Sequence, residues 1–204
     1  SPIVLKSDYW LLNCLLICIK WERRIFMNND IERVLYSQEE INHRADELAA
    51  AITEEYHDQN PLVISVLTGA MIFTSDMLKR LNFKLNVDLV DVSSYDGTDS
   101  TGQVKLDLDL KSDVKGRSVI IMEDIIDTGR TLKYLVQLLK DRGAKSVAVC
   151  ALLDKPGRRE VSIEGDYVGF TTPNEFLVGY GLDYNNLYRN LPYVGVLKRS
   201  VYAN

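Results

Sequence analysis

The stretch "VIIMEDIIDTGRTL", residues 119–132, begins as an apolar run and then becomes polar within a few residues. Glu123, Asp124 and Asp127 come close together, and the small-residue sequence Thr-Gly-Arg-Thr follows at 128–131. A continuous apolar, β-branched run is typical of a strand that is buried on both faces. Carboxylates beside a glycine turn at the tip of such a strand indicate a ligand site.

The residues around this stretch predict a strand over 117–123, a turn over 124–130, a helix over 131–142 ending at Gly143, and a strand over 146–153. A strand, a crossover helix and a second strand form a right-handed βαβ unit. The other predicted elements are a helix at 38–57, a strand at 61–67, a helix at 70–81, strands at 85–95 and 104–110, and late strand and loop material at 166–170 and 176–184. The pattern predicts an α/β domain with a mostly parallel sheet and an antiparallel flank.

The composition fits one globular domain. The chain has 204 residues, of which 46% are hydrophobic and 26% charged, so it can bury a full core. Its formal net charge of −5 argues against a general nucleic-acid binder. Three cysteines are too few and odd in number for a disulfide framework, which favours a reducing cytoplasm.

The first 26 residues differ from the remainder. They contain an apolar run of about 11 residues, which is shorter than the ~20 residues needed to span a bilayer. We interpret residues 1–26 as an upstream or non-native extension and residues 27–204 as the functional domain, and we expect no membrane association. A membrane-associating leader is the alternative interpretation.

The turn at 127–131 suits a phosphate monoester. A glycine turn that opens a helix offers backbone N–H groups, hydroxyls and the positive end of the helix dipole. Glu123 and Asp124 would repel a phosphate but would accept hydrogen bonds from vicinal hydroxyls, so a ribose 5-phosphate fits. No G-x-x-x-x-G-K-[ST] or G-x-G-x-x-G pattern is present. The simpler alternative is that the acidic residues cap a helix and face water.

"VIIMEDIIDTGRTL" also resembles the phosphoribosyl-diphosphate motif of type I phosphoribosyltransferases. The segments "VISVLTGAMIF", "DVSSY", "LLDKPGRR", "DYVGF" and "FLVGYGLDYNNLYRNLPYVGVLK" resemble the bacterial hypoxanthine-guanine branch of that family. The resemblance runs from about residue 30 to the C-terminus. It implies a mostly parallel sheet flanked by helices, with a mobile lid and a small hood. It also implies transfer of a 5-phosphoribosyl group from 5-phosphoribosyl 1-diphosphate to hypoxanthine or guanine, with Mg²⁺ as cofactor.

The resemblance assigns roles around the quoted stretch. Glu123 and Asp124 correspond to residues that contact the ribose hydroxyls and help to hold Mg²⁺. Asp127 corresponds to the general base at purine N7, and on its sequence alone it is also a good helix N-cap. The residues that hold the 5′-phosphate are Thr128, Gly129, Arg130 and Thr131, with Arg130 acting through its backbone.

Further roles concern the pyrophosphate. Leu67, Thr68 and Gly69 match the family's pyrophosphate loop, in which a non-proline cis peptide is expected between the first two residues. Many relatives carry Lys or Arg where this chain has Thr68, so we assign the loop's backbone N–H groups to the ligand. Arg189 and Arg159 match arginines near the pyrophosphate. A surface ion pair is the simpler interpretation of each arginine.

The purine site is predicted from four residues. Lys155 matches the lysine that donates to the purine 6-oxo group, and Phe176 matches the aromatic residue that stacks on the base. Leu177 corresponds to a backbone contact at the purine edge, and Asp183 to the acid that binds a second Mg²⁺ ion at the purine site. Without the resemblance, Lys155 would be assigned to a solvated loop and Phe176 to the core.

Ser94 and Tyr95, with the polar residues 96–103, match the family's mobile lid, although a plain hairpin loop has the same composition. The resemblance also implies a homodimer or homotetramer. Two other functions stay open. One is a phosphoribosyltransferase for adenine, xanthine, uracil or orotate, which Lys155 and Phe176 disfavour. The other is an RNA-binding regulator on the same fold, which the acidic composition disfavours.

Overall fold

The structure is a computed structural model that describes residues 29–94 and 104–203. The helices are α1 (Gln38–Tyr56), α2 (Met71–Leu78), α3 (Arg130–Asp141) and the short α4 (Arg199–Tyr202), with a 3₁₀ turn at Pro156–Arg158. The strands are β1 (Ile31–Tyr36), β2 (Leu62–Leu67), β3 (Asn86–Ser94), β4 (Val104–Leu108), β5 (Ser118–Ile126), β6 (Ser146–Asp154), β7 (Tyr167–Thr171), β8 (Leu177–Val178) and β9 (Val194–Leu197).

The strands form two sheets. The larger sheet has the order β4-β3-β2-β5-β6-β7, and its strands are parallel except for β4, which pairs antiparallel with β3. The smaller sheet has the antiparallel order β1-β9-β8. The prediction of a mostly parallel α/β sheet is confirmed, and we identify the smaller sheet with the hood.

Both faces of the larger sheet are covered. Alternate residues of β5 point to opposite faces, so Ile120 packs in a core with α1 and α2, while Ile121 packs in a core with α3. Helix α3 contributes Leu132, Leu135 and Leu139 to the second core. This double coverage explains why the central strands are continuous apolar runs.

Helix α1 begins where the sequence predicts it. Ser37 accepts a hydrogen bond from the Glu40 backbone N–H at 3.2 Å, and the Glu40 carboxylate accepts from the Ser37 backbone N–H at 2.8 Å. This reciprocal pair is a capping box. None of the four helices in the described ranges is long and apolar enough to cross a membrane.

Strand β5 is longer than predicted. It extends to Ile126, so Glu123 and Asp124 lie within the strand and the predicted turn over 124–130 is wrong at its start. Pairing with β6 continues to Ile126 opposite Asp154, and this pairing overrides the weak strand propensity of the acidic residues. Strand β3 ends at Ser94, and the lid residues Tyr95 and 96–103 lie outside the described part of the chain.

Candidate active site

The candidate residues meet at the carboxyl-terminal edge of the parallel sheet. Residues 67–69 lie at the end of β2 and in the loop that follows it, the turn after β5 holds 127–129, and the segment after β6 begins at Lys155. Strand β5 lies between β2 and β6, so these three segments are neighbours at one edge. Ligands of open α/β sheets bind beyond this edge.

The turn between β5 and α3 has the geometry that the predicted anion site requires. Gly129 is the N-cap of α3 with a φ of 82°, a left-handed conformation that favours glycine, and no side chain caps the helix. The Arg130 N–H donates to Thr128 Oγ1 at 3.4 Å, and the other first-turn N–H groups are available to a ligand at the positive end of the helix. A cavity of about 90 Å³ adjoins the turn and is lined by Glu123, Ile125, Ile126, Asp127, Thr128, Gly129, Thr131 and Leu132. The N-cap role that the sequence allowed for Asp127 is wrong.

A second segment packs onto this turn. The Arg159 guanidinium donates to the carbonyl oxygens of Ile126, at 3.0 Å, and of Asp127. It also pairs with the Asp154 carboxylate. The backbone N–H of Glu160 donates to the Thr128 carbonyl at 3.0 Å. The contacts of the Arg159 guanidinium are thus with the ends of β5 and β6, and its predicted position near the pyrophosphate stays a prediction.

Glu123, which is buried, and Asp124, which is half-buried, form a carboxylate pair. Burial raises the pKa of both side chains, and the charge of Asp124 raises the pKa of Glu123 further. Asp124 Oδ1 accepts from the Ile125 backbone N–H at 2.7 Å, and Arg189 opposes the rise in the pKa of Asp124. The ionised pair is therefore destabilised in the protein alone, and hydroxyl donors or a cation would stabilise it.

The loop after β2 lies against this pair. The predicted cis peptide between Leu67 and Thr68 is confirmed. A Cβ at Gly69 would overlap the carboxylate of Asp124, so the absence of a side chain at 69 permits the approach. A Cβ at Gly181, where φ is 105°, would likewise overlap the Gly69 carbonyl oxygen. Three distant segments therefore meet through glycine contacts.

Arg189 and Asp183 complete that corner of the site. Arg189 donates to the Gly181 carbonyl at 2.6 Å and pairs with Asp183 at 2.7 Å. Asp183 also accepts from the Asn186 backbone N–H at 2.8 Å. The structure thus brings the predicted residues Gly69, Asp124, Asp183 and Arg189 together.

Asp127 and Lys155 lie on the other side of the β5 tip. Asp127 Oδ1 is buried without a hydrogen-bond partner, and Arg158 Nε lies 3.3 Å from it as an ion pair. Lys155 is 6% exposed, and its Nζ donates to the Glu175 carbonyl at 2.6 Å. Burial lowers the pKa of Lys155, and the nearby charge of Asp127 opposes that shift. A carboxylate oxygen without a hydrogen-bond partner and a buried ammonium group are thus close enough to interact.

The predicted aromatic residue follows directly. Phe176 directly follows Glu175, whose carbonyl accepts from Lys155, and 36% of the surface of Phe176 is exposed. Its own carbonyl accepts from the Leu197 backbone N–H at 2.8 Å, which ties it to β9. Leu177 is buried in the core with α1 and α2. Lys155 and Phe176, the two residues predicted to contact the purine, are therefore adjacent in space.

No group of three or more His, Cys, Asp or Glu side chains within residues 29–94 and 104–203 is arranged to hold a metal ion. The carboxylate pair Glu123 and Asp124 nevertheless supplies the hard oxygen donors that Mg²⁺ prefers. This cation commonly uses one or two carboxylates and takes its other ligands from water and substrate phosphates. The donor chemistry of the pair fits Mg²⁺.

Sequence reasoning missed several residues at this site. Arg158, which pairs with Asp127, and Tyr202, which stacks on Phe176, carry no local signal because their roles depend on tertiary contacts. Gly181 could have been found, because glycines flank Tyr180 in "GYG" and paired glycines often mark positions that require positive φ.

The fold and the site define a class, namely open α/β proteins that bind an anionic ligand at a helix N-terminus beside acidic groups. Residues 35–185 match the family described as phosphoribosyl transferase domain. The chain belongs to this phosphoribosyltransferase family, and the resemblance seen in the sequence is confirmed.

Named relatives agree with this assignment. The hypoxanthine-guanine phosphoribosyltransferase of Bacillus subtilis is 52% identical over 179 residues, which cover 87% of this chain and 99% of the relative. The bifunctional protein TilS/HprT of Listeria innocua is 56% identical over 178 residues, and this chain spans 28% of its length. A crystal structure of a hypoxanthine phosphoribosyltransferase from Staphylococcus aureus superposes with a TM-score of 0.84 at 46% identity, covering 88% of this chain and 100% of that one.

Proposed function

We propose that this protein transfers the 5-phosphoribosyl group of 5-phosphoribosyl 1-diphosphate to hypoxanthine or guanine. The products are the nucleoside monophosphate and pyrophosphate, so the role is purine salvage. The observation that carries the proposal is one arrangement at the β5 tip. A helix N-terminus whose N-cap residue, Gly129, has no side chain adjoins the carboxylates of Glu123 and Asp124, which matches a ligand with a phosphate at one end and hydroxyls at the other.

Different residues bind different parts of the 5-phosphoribosyl 1-diphosphate. The turn 128–131 binds the 5′-phosphate through backbone N–H groups and hydroxyls. Glu123 and Asp124 accept from the ribose hydroxyls, and their raised pKa values fall when these donors or a cation arrive. The loop 67–69 and Arg189 bind the pyrophosphate, with the backbone N–H groups taking the place of a lysine or arginine at Thr68.

Bond cleavage requires charge stabilisation at both ends of the breaking bond. The bond from ribose C1′ to the pyrophosphate oxygen breaks first, and its electron pair leaves with pyrophosphate. Positive charge that develops on the ribose is stabilised by the carboxylates, while Arg189 faces the leaving group. Glu123 and Asp124 would hold one Mg²⁺ and Asp183 a second, and the ions would neutralise charge on the leaving pyrophosphate.

The purine completes the reaction. Its ring nitrogen forms the new bond to C1′, and Asp127 accepts the proton released at N7 through Oδ1, which has no hydrogen-bond partner in the protein. Lys155 exchanges the Glu175 carbonyl for the purine 6-oxo group, and Phe176 stacks on the ring. Arg159 holds the carbonyls of Ile126 and Asp127, so we propose that it positions the turn rather than binding pyrophosphate.

Steady-state kinetics with hypoxanthine, guanine, xanthine and adenine, each with and without Mg²⁺, test the proposal. We expect turnover of hypoxanthine and guanine that depends on Mg²⁺. Adenine should be slower by at least ~10²-fold, because its amino group would face the donors of Lys155. Preferential use of adenine, or no phosphoribosyl transfer to any of these bases, contradicts the proposal.

We further propose that the protein acts in the cytoplasm as a homodimer or homotetramer, without nucleic-acid partners. The small number of cysteines accords with a reducing compartment, and Cys150 is a buried free thiol. Light scattering across protein concentrations measures the oligomeric state, and a monomer at all concentrations contradicts the assembly.

A further inference from the structure

The ring of Phe176 is supported by two other aromatic side chains. Tyr202 stacks on it with ring centroids 4.7 Å apart and an interplanar angle of 25°. Tyr184 meets it edge-on, at 5.4 Å and 90°. Phe176 still has 36% of its surface exposed, as expected of a ring with one face covered and the other open.

Tyr202 is itself held in place. It is the last residue of α4. Lys198, which immediately precedes this helix, donates its backbone N–H to the Asp30 carbonyl at 2.9 Å. Val201 and Tyr202 pack against a small core of Ile31, Val178, Tyr193 and Leu197. Strand β9 leads directly into α4 and also bonds the Phe176 backbone through Leu197. The two stacked rings are therefore anchored on the same strand.

We propose that Tyr202 is a positioning residue for the purine, a role that rests on the proposed function. By covering one face of Phe176, it restricts the ring to the orientation in which the opposite face is presented to the base. An unsupported ring would sample more rotamers, and ordering it would reduce the affinity for the base. The pyrophosphate loop and the turn 128–131 are separate segments, so the diphosphate substrate is unaffected.

The test is a comparison of Tyr202→Leu, Tyr202→Phe and Arg199→Ala. Arg199→Ala is the matched control, since Arg199 is an exposed residue of the same helix. An aromatic pair is worth ~0.5–1.5 kcal/mol, which corresponds to a roughly two- to tenfold rise in the KM for hypoxanthine in Tyr202→Leu. Tyr202→Phe should restore the wild-type value because it keeps the stack, and the KM for 5-phosphoribosyl 1-diphosphate should be unchanged in all three.

An unchanged or lowered KM for hypoxanthine in Tyr202→Leu overturns the proposal, and a lowered value means that Tyr202 competes with the base. An equal rise in both KM values also overturns it, because the role would then be general stability. Tyr202→Met provides the same comparison if the leucine variant does not fold. Failure of the wild-type protein to use hypoxanthine or guanine contradicts the proposed function itself, so the two failures are distinguishable.

Discussion

At the scale of single residues, Asp127 and Lys155 carry opposite charges and differ in whether their polar atoms have hydrogen-bond partners. Asp127 keeps one buried oxygen without a hydrogen-bond partner, although Arg158 lies 3.3 Å away. Lys155 is buried but donates to a backbone carbonyl, which it can exchange for a ligand. Unused or exchangeable hydrogen-bonding capacity in a buried site costs stability, so its presence here is best explained by a ligand.

We predict that Asp127→Asn lowers kcat by ~10²–10⁴, as expected for loss of a general base. The fold should be retained, because Gly129 rather than Asp127 is the N-cap of α3. Stopped-flow and steady-state assays at saturating substrates measure the effect. Asp58→Asn, at an exposed position after α1, is the control and should behave as wild type. Near-normal turnover of Asp127→Asn would remove Asp127 from proton transfer.

Lys155→Ala should reduce the use of both oxopurines while sparing the affinity for 5-phosphoribosyl 1-diphosphate, whose predicted ligands lie on other segments. A site built to donate to an oxo group loses discrimination when the donor is removed. The measurement is kcat/KM for hypoxanthine, guanine and adenine beside diphosphate binding by calorimetry, with the exposed Lys140→Ala as control. If Lys155→Ala weakened the binding of 5-phosphoribosyl 1-diphosphate and left the base selectivity unchanged, the assignment of Lys155 to the 6-oxo group would be wrong.

At the scale of elements, the site depends on close approach between loops. Gly69 contacts Asp124 of β5, and Gly181 contacts Gly69, so the loops after β2 and β8 are stacked on the end of β5. The segment 159–163 covers the turn at Gly129 in the same way, because a Cβ at Gly129 would meet Ile163 and Val161. Side chains at these glycines would push whole loops apart, and 1 Å of misplacement is enough to reduce catalysis.

Gly69→Ala should weaken binding of 5-phosphoribosyl 1-diphosphate, since the added Cβ overlaps the Asp124 carboxylate. We expect at least a tenfold rise in its KM, equivalent to about 1.4 kcal/mol. Gly157→Ala is the matched control, because its Cβ would meet no atom closer than 3.8 Å. Equal kinetics of the two variants would show that the contact between Gly69 and Asp124 has no role in binding.

Asp88 of β3 gives a prediction about pH and stability. Burial raises its pKa, but hydrogen bonds from the backbone N–H groups of Leu89, Ser112 and Lys111 outweigh burial and lower the pKa overall. A lowered folded-state pKa stabilises the fold at neutral pH, and this contribution is lost as the pH falls through that pKa. Asp88→Asn should therefore lower the free energy of unfolding at pH 7 by about 1–3 kcal/mol.

Urea unfolding of wild type and Asp88→Asn at several pH values checks this. The difference between the two proteins should shrink below about pH 4, where the unfolded carboxyl begins to be protonated. Asp113→Asn, at an exposed position in the same connection, is the control. A difference that is independent of pH would mean that the ionised form of Asp88 is not what stabilises the loop.

At the scale of the whole molecule, strand order decides which segments share the site. Strands β2, β5 and β6 are separated in sequence by α2 with the β3–β4 pair and by α3, yet they are adjacent in the sheet. Phe176 directly precedes β8 of the smaller sheet, Tyr202 lies in the helix that follows β9, and Arg33 of β1 pairs with Glu175. The first strand and the last helix thus support the same predicted purine site.

Deleting residues 1–26 should leave activity unchanged, because every assigned residue lies beyond them and the family match begins at residue 35. Extending the deletion to residue 36 should abolish activity, since it removes β1 and with it the antiparallel pairing to β9. Circular dichroism and the hypoxanthine assay compare the two truncations with the full chain. A 27–204 protein that folds but is inactive would contradict the assignment of the functional domain.

The sequence by itself determined the elements whose signals are local. The apolar runs and the capping box at Ser37 predicted the buried strands and α1, and the Thr-Gly-Arg-Thr turn predicted an anion site, because side-chain periodicity and glycine conformation act over a few residues. Tertiary structure alone decided the extension of β5 to Ile126, which needs pairing with β6. It also decided the contact of Gly69 with Asp124 and the stacking of Tyr202 on Phe176. Those contacts join residues far apart in the chain, so they exist only once the strand order is set, and no local pattern encodes them.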